Sequence, residues 1–332
     1  MNALPSISII TPSYNQGAYL EQTIDSVLSQ NYPGLQYIII DGGSTDNSTE
    51  IIKKHERHLY RWISEKDNGQ SDAINKGLQT ATGEVVNWLN SDDWYCENTL
   101  QRVGELFTDS NIEVVSGRSR ILLNGKEIRQ NKGTDIYPGN LEKTIGCARI
   151  DQPETFFRRS CIEQFGLLNT HLHYIMDKEW WMRYLLCFGL DHIYSIPDIL
   201  VNFRLHETSK TYNYLSHFDR ENFDLFYSIA LDKAPLWADS LRQSMNTNLV
   251  LGVHYLNLPV LRDIQFKKIL NYFIFERIQM AYAQNRYEEA KKLIPLIEIS
   301  LLNADELSQI QTVQRRMKII PAWLKKIMNA IR

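Results

Sequence analysis

Two acidic turns carry the densest chemistry in this chain, and each directly follows a short apolar run. Tyr37-Ile38-Ile39-Ile40 leads into Asp41-Gly42-Gly43-Ser44-Thr45-Asp46, and Val85-Val86-Asn87-Trp88-Leu89 leads into Asn90-Ser91-Asp92-Asp93. Apolar, β-branched runs of this length, ending in Gly, Ser and Asp, read as buried parallel strands whose carboxyl ends open into loops. Open α/β sheets bind their ligands at those ends. Carboxylate-bearing loops at neighbouring strand ends suit a divalent cation and a phosphorylated, sugar-like ligand, because hard cations take oxygen ligands and leave positions free for phosphate.

The elements that must position these turns alternate through the first half of the chain. A strand at Ile7 to Ile10 precedes a helix with Leu20, Ile24, Val27 and Leu28 at helical spacing, stopped by Asn31-Tyr32-Pro33-Gly34. Helices are expected from about Ser48 to His55, around Ala73 to Leu78, and through Leu100, Val103, Leu106 and Phe107, with strands near Trp62-Ile63 and from Val85 to Leu89. This order implies an α/β fold with a mostly parallel central sheet and helices on both faces. Beyond Asn111 the pattern changes to a hairpin over Ile121 to Ile128 with an Asn124-Gly125 turn, a strand at Thr155 to Phe157, and a helix from Lys178 to Phe188. From about Tyr214 onward strand signals vanish. Helices are expected at Phe266 to Ala283 and Tyr287 to Ile299, forming an αα-hairpin. Two domains follow, residues 1–212 and an all-helical region 213–332.

A chain of 332 residues can bury a full core, and its formal net charge of −3 argues against nucleic acid as a partner. Cys96, Cys147, Cys161 and Cys187 lie far apart without CxxC spacing, so neither a zinc site nor a disulfide framework is expected. The start lacks the basic and apolar regions of a signal peptide, and no stretch approaches a membrane span. The expectation is a cytoplasmic protein. The end, from Arg315 through Trp323 to Arg332, holds no acidic residue and reads as a basic amphipathic tail. It fits either peripheral contact with an anionic membrane or a helix packed on its own domain.

Four motifs in order, Ser8-Ile9-Ile10-Thr11-Pro12-Ser13-Tyr14-Asn15, Asp41-Gly42-Gly43-Ser44-Thr45-Asp46, Asn90-Ser91-Asp92-Asp93 and Arg204-Leu205-His206-Glu207-Thr208-Ser209-Lys210, resemble the motif set of family 2 glycosyltransferases. The resemblance covers roughly residues 5 to 212. It implies a GT-A-type, Rossmann-like fold and inverting transfer of a sugar from a nucleotide diphosphate donor, a UDP-sugar, to a glycan or lipid-linked glycan hydroxyl. It also implies Mn2+ or Mg2+ as cofactor and a setting in cell-surface polysaccharide assembly. The rival from another class is a catalytically silent nucleotide-sugar-binding or scaffold protein.

The resemblance distributes roles along the chain. Thr11, Pro12, Ser13 and Tyr14 border the donor, with Tyr14 against the nucleobase. Asp41 accepts from the imide N–H of a uracil, or else simply starts an Asx turn. Asp67 is the donor contact of the polar loop Glu65 to Asp72, and Asp92 contacts ribose or phosphate. Asp93 holds the metal; His206 is a further metal ligand or mere polar surface. Ile74 stands where many members carry arginine, so diphosphate charge falls to Lys66, Arg204 and Lys210 besides the metal. On the acceptor side, Asp177 is the candidate general base or an N-cap, with Glu179 a weaker alternative base. Gln152 lies in a loop shaping the acceptor cleft, and Trp180 stacks on a sugar or lies in the core.

Overall fold

The computed structural model describes residues 3–147, 149–207, 209–233, 235–244 and 263–319. Of the basic tail expected over residues 315–332, the stretch 320–332 lies outside the described residues. Among the described residues no helix is long and apolar enough to cross a membrane.

The first half alternates as expected: β1 (Ile7–Ser13), α1 (Leu20–Leu28), β2 (Leu35–Asp41), α2 (Ser48–His55), β3 (Arg61–Ser64), α3 (Gln70–Thr80) and β4 (Val85–Trp88). The strands lie in the order β3-β2-β1-β4, all parallel. Every position of β1 is buried, which fits a strand covered on both faces and explains its continuous apolar run. On one face Ile7, Ile9, Tyr37 and Ile39 join Leu20, Ile24, Ile51 and Ile52 in a single cluster. On the other, Ile10 meets α3 at Gly77.

The crevice follows from register. β1 pairs with β2 as far as Ser13↔Asp41 but with β4 only as far as Ile10↔Trp88. The carboxyl ends of β1 and β4 therefore part where the strand order reverses, the place at which such sheets bind ligands. β1 runs three residues beyond the expected Ile10, and Pro12 lies past its last pair with β4, where one side of the strand makes no ladder bonds.

Past β4 the sheet is mixed. The chain adds β5 (Trp94–Tyr95), α4 (Thr99–Leu106), β6 (Val114–Leu123), β7 (Lys126–Gln130), α5 (Leu141–Cys147), β8 (Thr155–Arg158), α6 (Arg159–Phe165), α7 (Met176–Phe188) and β9 (Ile193–Leu205). Strand order continues β4-β8-β6-β9-β5, with β8 antiparallel to β4 and β6, β9 parallel to β6, and β5 antiparallel to β9. The β6–β7 turn at Asn124 and Gly125 has φ of 51° and 74°, the positive pair an Asn-Gly hairpin requires. β9 escaped the sequence reading because Pro197 and Asp198 interrupt it and its pairing with β6 shifts register twice.

The described chain divides into two compact units, one of residues 1–136 and 149–219, the other of 137–148 and 220–332. The second unit thus takes in α5, which the sequence reading assigned to the first domain. It is helical: α8 (Lys210–Asn213) precedes it, and α9 (Leu215–Lys233), α10 (Pro235–Ser244), α11 (Asp263–Ala283), α12 (Tyr287–Leu293) and α13 (Ala304–Ile319) follow. Within it Gly146 of α5 lets the Ile269 carbonyl of α11 approach, Phe226 stacks on Phe273 with centroids 4.1 Å apart, and Lys143 pairs with the buried Glu306 at 2.6 Å. Asn285 at φ 59° turns α11 into α12 as the expected αα-hairpin, and α12 ends at Leu293 because Pro295 cannot continue it.

A Cβ at Gly77 would lie 2.3 Å from Ile10 Cγ2 and 2.9 Å from Cγ1, so α3 can pack on β1 only with glycine there. Gly77→Ala is expected to destabilise the protein by about 1–3 kcal/mol through overpacking, read as a lower urea midpoint at unchanged slope. An unchanged midpoint would show that this contact relaxes freely.

Candidate active site

The turn after β4 is tied down from two directions. The Thr23 hydroxyl on α1 donates to the carbonyls of Ser91 at 2.9 Å and Asp93 at 2.7 Å. Asp93 Oδ1 accepts the backbone N–H of Arg204, at the end of β9, at 2.9 Å. Asp93 is 1% exposed, and its Oδ2 is buried without a hydrogen-bond partner. Burial, reinforced by the neighbouring Asp92 carboxylate, pushes the Asp93 carboxyl well above the usual carboxylate range, and the Arg204 N–H, the Asn90 side chain and the Arg204 charge only partly offset this. A buried acceptor without a donor is costly, and a cation beside it would favour the ionised form.

Arg204 serves this turn rather than the open site. Its guanidinium lies between the rings of Tyr19 and Trp94, 4.7 and 4.6 Å from their centroids. It donates from Nε to the Asp92 carbonyl at 2.9 Å and from Nη2 to Gln22 Oε1 at 2.5 Å. These contacts tie the guanidinium to the turn. His206 is not polar surface either. It is 9% exposed, lies against Tyr19 with centroids 4.6 Å apart, and brings Nε2 within 2.9 Å of Asp92 Oδ2.

The β2 loop is organised around Asp41, which is fully buried. Its Oδ2 accepts from the N–H of Ser44 at 2.9 Å, the N–H of Gly43 at 3.2 Å and the Ser64 hydroxyl at 2.7 Å, while the Ser44 hydroxyl donates to Oδ1 at 2.5 Å. The Asx turn is therefore realised. Asp67 caps the N–H of Gly69 at 2.9 Å and lies over Gly42, where a Cβ would meet its Oδ2 at 2.6 Å. The ends of β2 and β3 are thus drawn together at one mouth. Thr11 is buried, with its hydroxyl 3.1 Å from Tyr37 Oη, and Pro12 and Ser13 are buried strand residues. Tyr14, one residue on, is 60% exposed and presents the loop's aromatic surface. Lys210 reaches back to Gln70 Oε1 at 2.8 Å, and Gln70 donates to Asn90 Oδ1 at 2.9 Å, linking α8, α3 and the β4 turn.

A second set of carboxyl groups lies in the 151–177 region. Asp177 is half-buried at the second position of α7, where its Oδ1 accepts the backbone N–H of Lys178 at 2.7 Å. Asp151, with its side chain 10% exposed, is 3.2 Å from the Arg149 guanidinium. Burial, with the Asp135 and Asp177 charges adding to it against Arg149, raises its carboxyl from 3.8 to about 6. Glu154 is buried with Oε1 unpartnered, and burial together with Asp151 raises it well above its ordinary value.

Three acceptor-side candidates are buried. Gln152 is buried and donates to Asn87 Oδ1 at 2.7 Å and the Trp88 carbonyl at 2.8 Å, so it braces β4. Glu179 is 1% exposed and ion-paired with Arg183 at 2.9 Å, which removes it as an alternative base. Trp180 is fully buried, donates to the Gly166 carbonyl at 2.9 Å and packs edge-on against Trp88, Phe157 and Phe165. The sequence reading also passed over Thr23, Tyr19 and Trp94. None sits in a motif; the aromatic residues flanking the acidic turn were the available signal.

The raised Asp151 carboxyl has a consequence for stability. The native state holds its proton more tightly than the unfolded chain, so between pH about 4 and 6 this group makes stability fall as pH rises. Asp151→Asn should flatten that decline and leave the protein more stable than wild type at pH 7, by on the order of 1–3 kcal/mol. Urea melts at pH 4, 5, 6 and 7 check this; a wild-type decline equal to the variant's would contradict it.

Comparison with known proteins agrees with this geometry. The family model described as Glycosyl transferase family 2 matches residues 8–184. An uncharacterized glycosyltransferase of Nostoc sp. is 38% identical over 151 residues, covering 45% of this chain and 42% of that protein. A Bacillus subtilis protein named as a teichuronic acid biosynthesis glycosyltransferase, TuaG, is 38% identical over 104 residues, 30% of this chain and 41% of that protein. The chain thus spans less than half the length of either relative. Among solved structures, S. aureus TarS 1-349 in complex with UDP-GlcNAc superposes with a TM-score of 0.57 at 18% identity, covering 94% of this chain and 92% of that one, and so shares its GT-A-like fold. With more than half of its length matched by the family model, and with acidic turns at the carboxyl ends of its parallel strands, the chain belongs to glycosyl transferase family 2.

Proposed function

We propose that this protein transfers a sugar, with inversion, from a UDP-sugar to a hydroxyl of a glycan or lipid-linked glycan. The observation that carries the reading is the parting of β1 and β4 beside the Asp92-Asp93 turn, in a chain of this family. Support for the donor class comes from TarS, whose structure holds UDP-GlcNAc. Support for polysaccharide assembly at the cell surface comes from TuaG, named for teichuronic acid biosynthesis. The cytoplasmic side of the membrane is the proposed setting, with the basic tail as its contact.

Metal dependence is part of the proposal. Among the described residues no group of three or more His, Cys, Asp and Glu side chains is arranged to hold a metal ion. The unpartnered Asp93 Oδ2 nonetheless suits a Mn2+ or Mg2+ ion, with Asp92 or His206 as a second ligand. Such ions commonly use one or two protein side chains and take the rest from phosphate and water. When bound, the ion would stabilise negative charge on the departing nucleotide. Tyr14 offers a stacking surface for the base, and the Asp41 and Asp67 loops shape the donor mouth.

Asp177 is the proposed general base. An acceptor hydroxyl is a poor nucleophile at neutral pH, so a carboxylate must take its proton as oxygen bonds to the anomeric carbon and the nucleotide leaves from the opposite face. The first turn of α7 favours the ionised form that this role requires. The test is release of UDP from a panel of UDP-sugars in the presence of Mn2+ and a glycolipid acceptor. Asp177→Asn should lower transfer by roughly two to four orders of magnitude while UDP affinity stays near wild type. Turnover within a few-fold of wild type would overturn the assignment. UDP binding by the wild type without turnover of any donor would favour a silent binding protein.

A further inference from the structure

A groove of about 660 Å3 opens between α1, β5 and β9, outside the loops assigned to the donor. It is shallow and widely open to solvent. The lining is unusual for a site that binds an apolar or anionic molecule. It combines the indole of Trp94 with Gln22, Asp25, Ser29 and Glu97, side chains that supply both donors and acceptors, while Asn202 beneath them is buried with its amide engaged by Arg120 and Cys96. The Arg120 guanidinium also borders it but is already engaged, 2.9 Å from Glu127 through Nε and 3.1 Å from Asn202 Oδ1 through Nη1. The remaining formal charges on the rim are those of Asp25 and Glu97, so a phosphate or uronate would meet repulsion there.

We propose that this groove binds a neutral saccharide, whose apolar ring face stacks on Trp94 and whose hydroxyls bond the surrounding carboxylates, the Gln22 amide and serine. An amphipathic ring faced by mixed donors and acceptors suits a ligand with one apolar face and hydroxyls around its edge. The groove adjoins the site through two side chains. Trp94 carries the Arg204 guanidinium 4.6 Å from its ring, and Gln22 accepts from the same guanidinium at 2.5 Å. A saccharide held there would fix Trp94 and Gln22, and through Arg204 the backbone of Asp92. It would engage the glycan at a distance from the reacting hydroxyl, a role independent of donor identity.

Saturation-transfer NMR on the full chain tests this with maltotetraose, cellotetraose, chitotetraose and a tetrasaccharide of alternating uronate. At least one neutral tetrasaccharide should show transfer that persists under saturating UDP, and the uronate should show none. Ser29→Trp, a change at an exposed position lining the groove, should abolish the signal while thermal midpoint and UDP binding stay at wild-type values. Glu97→Ala keeps the groove open and should weaken binding about fivefold, the worth of one hydrogen bond. The proposal is overturned if no neutral tetrasaccharide binds, if UDP displaces the signal, if the uronate alone binds, or if Ser29→Trp leaves binding intact.

Discussion

One hydrogen bond closes the site: the Asp93 carboxylate accepts the backbone N–H of Arg204 at 2.9 Å, across a separation of 111 residues. It joins the loop at the end of β4 to the end of β9, so strands from the parallel and mixed parts of the sheet present their termini together. Everything else near the turn reinforces it. Thr23 holds the backbone from beneath, and Tyr19 and Trp94 hold the Arg204 side chain between them. The price is a carboxyl buried with one oxygen unpartnered, which a rigid frame can sustain and a mobile loop could not.

Charge is divided along the crevice in a way that suits two different tasks. Asp92 and Asp93 lie beside the parted strand ends, where the proposed cation would supply the missing positive charge and a diphosphate would fill its open coordination. Asp151, Glu154 and Asp177 form a second carboxyl set around the start of α7, with Arg149 as the cation paired to Asp151. Burial and mutual repulsion raise the carboxyls of Asp151 and Glu154.

Much of this was legible in the sequence because local chemistry and tertiary structure agree in the first half. Continuous apolar runs gave β1, β2 and β4, and the Asn124-Gly125 pair gave the β6–β7 turn. The acidic turns were found at strand ends, where the structure has them. What escaped detection depends on contacts distant in sequence. β9 lacks a clean alternation, since Pro197 and two register shifts break its pattern, so Arg204 and His206 read as an open loop. Glu179 and Trp180 lie beside a plausible base in sequence, yet helical geometry turns them inward, onto Arg183 and the Trp88–Phe157–Phe165 cluster. Asp41 shows the reverse case, in which a residue known by resemblance is also a complete local turn.

The unpartnered Oδ2 of Asp93 is the proposed point at which a cation would join protein to nucleotide. Calorimetric titration of UDP with and without Mn2+ addresses this without any turnover. For wild type, Mn2+ should tighten UDP binding by about tenfold or more, equivalent to roughly 1.4 kcal/mol. In Asp93→Asn, which keeps the bond to the Arg204 N–H, that enhancement should vanish while metal-free UDP affinity stays the same. An equal Mn2+ enhancement in both proteins would contradict the account.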